Sequence, residues 1–194
     1  GATATVGLVS SAGIAALAWI EGHIALAVIC LALTGACTGF LPYNLASPAR
    51  IFLGDGGSMP IGFVVAATIM ALEGGAQIGW AMVFVAVVLV GLPALDTALV
   101  IVSRLRRGAG VFTGSRDHLT HRLLVPLGSP RRVAIVLAGA QALLCSVGIA
   151  LYEGNQAAAV SGAAACMLIG AGVIALRETQ KWGPQQPPEP NGSN

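Results

Sequence analysis

The chain has 194 residues, of which 56% are apolar and only 9% charged, with a mean hydropathy of +0.82. A soluble domain carries about 25% charged residues, so the composition excludes a water-soluble enzyme or binding domain and points to an integral membrane protein. The apolar runs are continuous and suit spanning helices of about 20 residues, not the alternating segments of a membrane barrel. Helices also satisfy their own backbone in lipid. The expected fold is all-α and polytopic, with about six transmembrane helices and two functional cytoplasmic loops. No nucleic-acid partner is expected.

The apolar segments run over about residues 2–20, 24–41, 58–72, 78–102, 133–152 and 157–176. The third is short and can begin inside the polar stretch before it. The membrane-embedded unit is therefore residues 1–176, and the Pro- and Gln-rich tail 177–194 reads as disordered. The cysteines Cys30, Cys37, Cys145 and Cys166 all lie in apolar stretches and form no C-x-x-C pair, so they read as small buried residues. Small residues such as Gly170-Ala171-Gly172 suit close helix packing in lipid.

Charge placement orients the chain. Arg50, the arginines from Arg104 to Arg132, Arg177 and Lys181 fall on alternate connections, while the others carry Glu21, His23, Glu73 and Glu153. The positive-inside rule puts the Arg-rich side in the cytoplasm, with both ends of this chain there. Function is expected on that elaborated face.

The first polar loop, residues 41–60, contains Arg50-Ile51-Phe52-Leu53-Gly54-Asp55-Gly56-Gly57-Ser58. Its glycines allow close backbone approach and positive φ. Ser58 is a candidate N-cap for the third segment, with Pro60 in its first turn. A helix N-terminus suits phosphate, and an aspartate beside phosphate calls for a divalent cation, since Mg²⁺ takes one or two carboxylates plus phosphate oxygens. Asp55 as a plain helix cap remains open.

Asp96 lies within the fourth segment, about 12 Å along a helix from Arg104. An ionisable residue at that depth is a functional candidate; the alternative is a structural acid bonded to Thr97 or to a loop backbone, with Pro93 loosening the helix nearby. The second loop, residues 103–132, reads SRLRRGAGVFTGSRDHLTHRLLVPLGSPRR. Topology and anionic lipid headgroups account for Arg104, Arg131 and Arg132. His118 and His121 share one face of a short helix with Arg122 beside them, and Arg116 and Asp117 stand just before. This cluster can hold a pyrophosphate. Leu119, Leu123 and Leu124 would dip the helix into the interface, Gly128 would end it, and Ser129-Pro130 would start the next span.

Together these motifs resemble the polyprenyl-phosphate N-acetylhexosamine-1-phosphate transferases (glycosyltransferase family 4). Asn44 and Pro48 to Ser58 follow the signature N-x-x-x-P-A-K/R-x-F-M/L-G-D-x-G-S. Pro93, Asp96 and Thr97, then Arg104 to Gly108, Phe112, and Arg116-x-His118-x-x-His121-Arg122-Leu123 follow the same family in order. The resemblance implies transfer of a sugar-1-phosphate from a UDP-sugar to polyprenyl phosphate in the bacterial plasma membrane, releasing UMP, with Mg²⁺, or Mn²⁺ in its place. It implies Asp55 as metal ligand and catalytic residue, with His118 and His121 catalytic. Asn44, Gly54, Gly57, Ser58, Asp96, Arg104, Arg107, Arg116 and Arg122 would bind substrate, and a homodimer is compatible with it. The family's H-x-H-H motif is here His118-Leu119-Thr120-His121, with Thr120 in place of the middle histidine. That favours the branch using UDP-N-acetylglucosamine. The family's paired aspartates would lie before Gly1, so the chain is expected to be a C-terminal portion lacking part of the site. A non-enzymatic multi-span protein or small transporter is the alternative, although a transporter more often places its polar residues at the bilayer midplane. A CDP-alcohol phospholipid synthase would need an aspartate cluster that is not seen.

Overall fold

The computed structural model describes residues 1–72, 80–107, 119–154, 157, 161 and 164, with only the backbone of residues 80–82, 84, 103, 104, 106, 107, 121, 122, 125 and 126. Within these residues the chain forms seven helices: α1 (Ala2–Ile20), α2 (Ile24–Asn44), α3 (Gly54–Leu72), α4 (Trp80–Leu89), α5 (Gly91–Arg107), α6 (Leu119–Leu127) and α7 (Pro130–Tyr152). Among the described residues, the helices α1, α2, α3 and α7 are long and apolar enough to cross a membrane. The protein is all-α and polytopic, as its composition requires. Of the sixth apolar segment only Ala157, Ser161 and Ala164 are described, and the tail 177–194 lies outside the described residues.

Helix α1 is the centre of the bundle and touches α2, α3, α4 and α7. It is 61% buried over its apolar window, against 17% for α2. In lipid, apolar surface gives helices little reason to associate, so close backbone approach matters more. Two glycines of α1 provide it. A Cβ at Gly7 would stand 2.6 Å from Ile61 Cγ2 on α3, and one at Gly13 would stand 2.8 Å from Cys145 on α7. The Ser11 and Thr34 hydroxyls, 2.8 Å apart, add a polar link between α1 and α2. Ile14, Leu17, Cys30, Val85, Leu89 and Cys145 fill the core between the spans. Cys30, Cys37 and Cys145 are free and buried, as expected of small core residues; Cys166 lies outside the described residues.

Helix ends follow local chemistry. Gly22, with φ +77, ends α1: its N–H donates to Trp19 O and the His23 N–H donates to Ala18 O, the paired bonds of a Schellman cap. Gly128, with φ +63, ends α6 by donating to Leu124 O at 2.8 Å. The extended Ser129 and Pro130 at the first helical position then start α7, as the sequence predicts.

Two segments differ from expectation. The third span is not short: α3 begins at Gly54 and has 19 residues, because Gly54 turns the chain at φ +58 and the polar stretch then continues as helix. Ser58 therefore sits one turn inside α3 and does not cap it. The fourth segment is two helices, with a turn at Val90 between α4 and α5. Pro93 is the cause, since it has no N–H to give the Leu89 carbonyl one turn earlier.

The bond that Pro93 cannot make is made by another helix. Gln141 of α7, fully buried, donates from Nε2 to Leu89 O at 2.5 Å and accepts the Leu92 N–H on Oε1 at 3.1 Å. The two partners fix which end of the amide is which. Glycines let the helices meet closely here: a Cβ at Gly91 would stand 2.8 Å from Leu144 Cδ1, and Gly148 packs against Leu89 and Val88. An unpaired peptide group in an apolar layer costs several kcal/mol, so this side-chain amide is what makes the break tolerable.

Candidate functional site

The polar stretch after α2 is folded back on that helix. Asn44, its last residue, donates from Nδ2 to Ile51 O at 2.8 Å, and the Arg50 N–H donates to Tyr43 O at 3.0 Å. The Asn44 Oδ1 is buried and meets no donor among the described residues. Gly54 then supplies the left-handed conformation that suits glycine. A Cβ at Gly57 would meet Leu53 Cδ1 and, at 2.7 Å, its Cγ, so the first turn of α3 closes on its own loop. Asn44, Gly54 and Gly57 thus shape the loop. Asp55 stands exposed in the first turn of α3, at the positive end of that helix.

The opposite wall comes from α5 and α6. Asp96 accepts the Leu119 N–H on Oδ1 at 2.6 Å. Leu119 opens α6, so Asp96 caps a helix 23 residues further on, where its charge also favours the helix dipole. Of the alternatives left open by the sequence, the loop backbone is thus a partner of this acid; Thr97 instead donates to Pro93 O at 2.9 Å. Helix α6 carries His121 and Arg122 in its first turn, and α5 carries Arg104 and Arg107 at its end; the side chains of these four are outside the described residues. His118 and Arg116, with Asp117, lie wholly outside them. Leu119 and Leu123, half-buried, pack with Leu127 on Val6, Leu92, Val133 and Leu137, where α6 lies against α7. Leu124 is 37% exposed.

The basic residues at the start of α7 make particular contacts. Arg131 Nε donates to Leu45 O at 2.9 Å at the end of α2, and Arg132 Nη1 donates to Leu127 O at 3.4 Å at the end of α6. Each places a cation at a helix C-terminus, where it is favoured.

Between α1, α3, α4 and α5 lies a cavity of about 710 Å³. Its long walls are apolar, from residues such as Val6, Ile61, Val65, Ile69 and Val87, with the buried hydroxyl of Ser10 among them. Ser58 of α3, Asp96 and Thr97 of α5 and Thr120 of α6 are also in its lining. Ser58, expected as a cap, is therefore cavity wall, and so is Thr120, the residue that departs from the histidine motif. Asp55 is one turn from Ser58 on α3. Among the described residues no group of three or more His, Cys, Asp and Glu side chains could hold a metal.

Sequence reasoning missed Gln141. The signal was present, since it is an amide within the apolar run 133–145 of α7, but the need for it arises only at a break on another helix.

Comparison with known proteins bears on this arrangement. Residues 1–73 match the model of glycosyl transferase family 4. Over 188 residues the chain is 37% identical to a Streptomyces coelicolor protein named as a glycosyltransferase, covering 95% of this chain and 44% of that protein. The chain is thus similar to glycosyl transferase family 4 over residues 1–73. It is also similar to the decaprenyl-phosphate N-acetylglucosaminephosphotransferase of Mycolicibacterium smegmatis, 38% identical over 83% of this chain and 42% of the relative. The undecaprenyl-phosphate alpha-N-acetylglucosaminyl 1-phosphate transferase of Escherichia coli is 30% identical over 73% of this chain and 39% of the relative. The chain spans less than half the length of these relatives. No solved structure gives a significant match.

Proposed function

We propose that this chain forms part of a membrane transferase that moves a sugar-1-phosphate, N-acetylglucosamine-1-phosphate in the first instance, from a UDP-sugar to a polyprenyl phosphate. The observation that carries the reading is the junction of a long apolar cavity with the starts of α3 and α6. One ligand with an apolar tail and an anionic head suits both parts. The names of the mycobacterial and enterobacterial relatives support the same lipid and sugar. The Arg-rich loops support a cytoplasmic position for this face.

In the reaction, a phosphate oxygen of the lipid attacks the sugar-linked phosphorus. A new P–O bond forms, the bond to UMP breaks, and UMP leaves with the electron pair. The lipid phosphate is already an anion, so the protein's work is positioning and charge neutralisation. The exposed Asp55 carboxylate at a phosphate-suited helix start fits one ligand of Mg²⁺, or of Mn²⁺ in its place. When bound, that ion would neutralise pyrophosphate charge. His118, His121, Arg116 and Arg122 would line the phosphate region, with Arg104 and Arg107 adding positive charge. Ser58 and Thr120 would face the lipid headgroup end of the cavity.

The test uses the full-length protein in membranes supplied with UDP-N-acetylglucosamine, decaprenyl phosphate and Mg²⁺. Release of UMP with matching formation of lipid-linked sugar is the expected result. Absence of UMP release from well-folded protein, with this and other UDP-sugars, would overturn the reading in favour of a non-enzymatic multi-span protein.

A further inference from the structure

We propose that Gln141, which lies outside the polar loops, is a positioning residue for this site. It braces the break that Pro93 makes between α4 and α5 and thereby places Asp96 and α6. The inference rests on the transferase reading for its catalytic consequence, but not for its structural one.

The argument starts from the backbone. Pro93 leaves the Leu89 carbonyl without its ordinary donor. Gln141 supplies that donor and, through the other end of the same amide, takes the Leu92 N–H. The amide therefore stands in for a peptide unit on each side of the break. Its Nε2 also lies 3.5 Å from Cys145 Sγ, and that thiol lies 3.8 Å from the same Leu89 carbonyl. The fully buried side chain is thus held in place.

What the break controls is the course of α5. Asp96 follows Leu92 by four residues, one turn along. Its carboxylate holds the first amide of α6, the helix that carries His121 and Arg122. A contiguous series of contacts therefore runs from Gln141 through Leu92 and Asp96 to Leu119. α6 also packs on α7, the helix that bears Gln141. Loss of the brace lets α5 straighten or swing, and Asp96 then loses its register with Leu119. A residue that only filled space would not have this reach.

The experiment is hydrogen–deuterium exchange on the full-length protein in lipid nanodiscs. Gln141→Leu removes both hydrogen bonds at similar volume. It is expected to speed exchange of the amides of α6 about tenfold, the effect of losing a buried hydrogen bond, while α1 and α2 hold. Gln141→Asn retracts the amide by one methylene and moves exchange in the same direction; it carries the test if Gln141→Leu does not fold. Adding Pro93→Ala to Gln141→Leu gives residue 93 an N–H for the Leu89 carbonyl. The carbonyl is then satisfied within a straight helix, so part of the thermal stability should return while α6 protection and UMP release do not, because the break that places Asp96 is gone. Unchanged α6 exchange in both single variants would overturn the proposal, as would recovery of α6 protection with Pro93→Ala. Should the wild-type protein release no UMP, the transferase reading fails and the exchange results still decide the role of Gln141.

Discussion

Asp55 and Asp96 both sit at the start of a helix, yet they are used differently. Asp55 is in the first turn of its own helix and is exposed. Asp96 lies on α5 and reaches across the chain to hold the first amide of α6. A carboxylate at a helix N-terminus gains from the dipole in either case. Only the exposed one stands open to solvent, while the other joins two elements of the fold. The α3 wall is built from local contacts among neighbours in sequence, and the α5–α6 wall from contacts between distant parts of the chain.

This contrast predicts a graded response to mutation. Asp55→Asn in the full-length enzyme should lower UMP release at least about a hundredfold, the scale of losing a charge-neutralising ligand, with the thermal midpoint unchanged. Equal turnover would show that Asp55 is a cap after all. Gly57→Ala should destabilise the first turn of α3 by about 1–3 kcal/mol through overpacking against Leu53, read as a lower unfolding midpoint in detergent, and Leu53→Ala in the same chain should relieve it. Asp96→Ala should cost about 1 kcal/mol as a lost cap, and Asp96→Asn less, because an amide oxygen still accepts the Leu119 N–H. An activity loss for Asp96→Asn as large as that for Asp55→Asn would break the contrast and put Asp96 on the substrate. Smallest of all, Arg131→Ala should cost about 0.3–1 kcal/mol by freeing the Leu45 carbonyl, measurable as a slight fall in the same unfolding midpoint.

Much of the frame was legible. The Gly128, Ser129 and Pro130 sequence marks the end of α6 and the start of α7 because φ > 0 and a missing N–H are properties of single residues. The all-α class follows from composition, since lipid leaves backbone groups no other partners. Ser58 was read as a cap because a serine before an apolar run usually is one. It became cavity wall because the preceding glycine-rich turn is itself helical. Leu119, Leu123 and Leu124 were read as dipping α6 into the interface; that Leu119 and Leu123 also pack on Val6 and Leu137 depends on residues far away in the chain. Pro93 was visible as a loosening residue. That it divides the segment into two helices depended on a partner able to satisfy the Leu89 carbonyl.

By itself, then, the amino-acid sequence determined the all-α membrane class and the concentration of its arginines on alternate connections. These are consequences of hydropathy, charge and the chemistry of individual side chains. Only the tertiary structure decided where α4 gives way to α5, which backbone amide Asp96 holds and what Gln141 is for. Each of these is a hydrogen bond between groups far apart in the chain, and such a bond exists only once packing has brought donor and acceptor together.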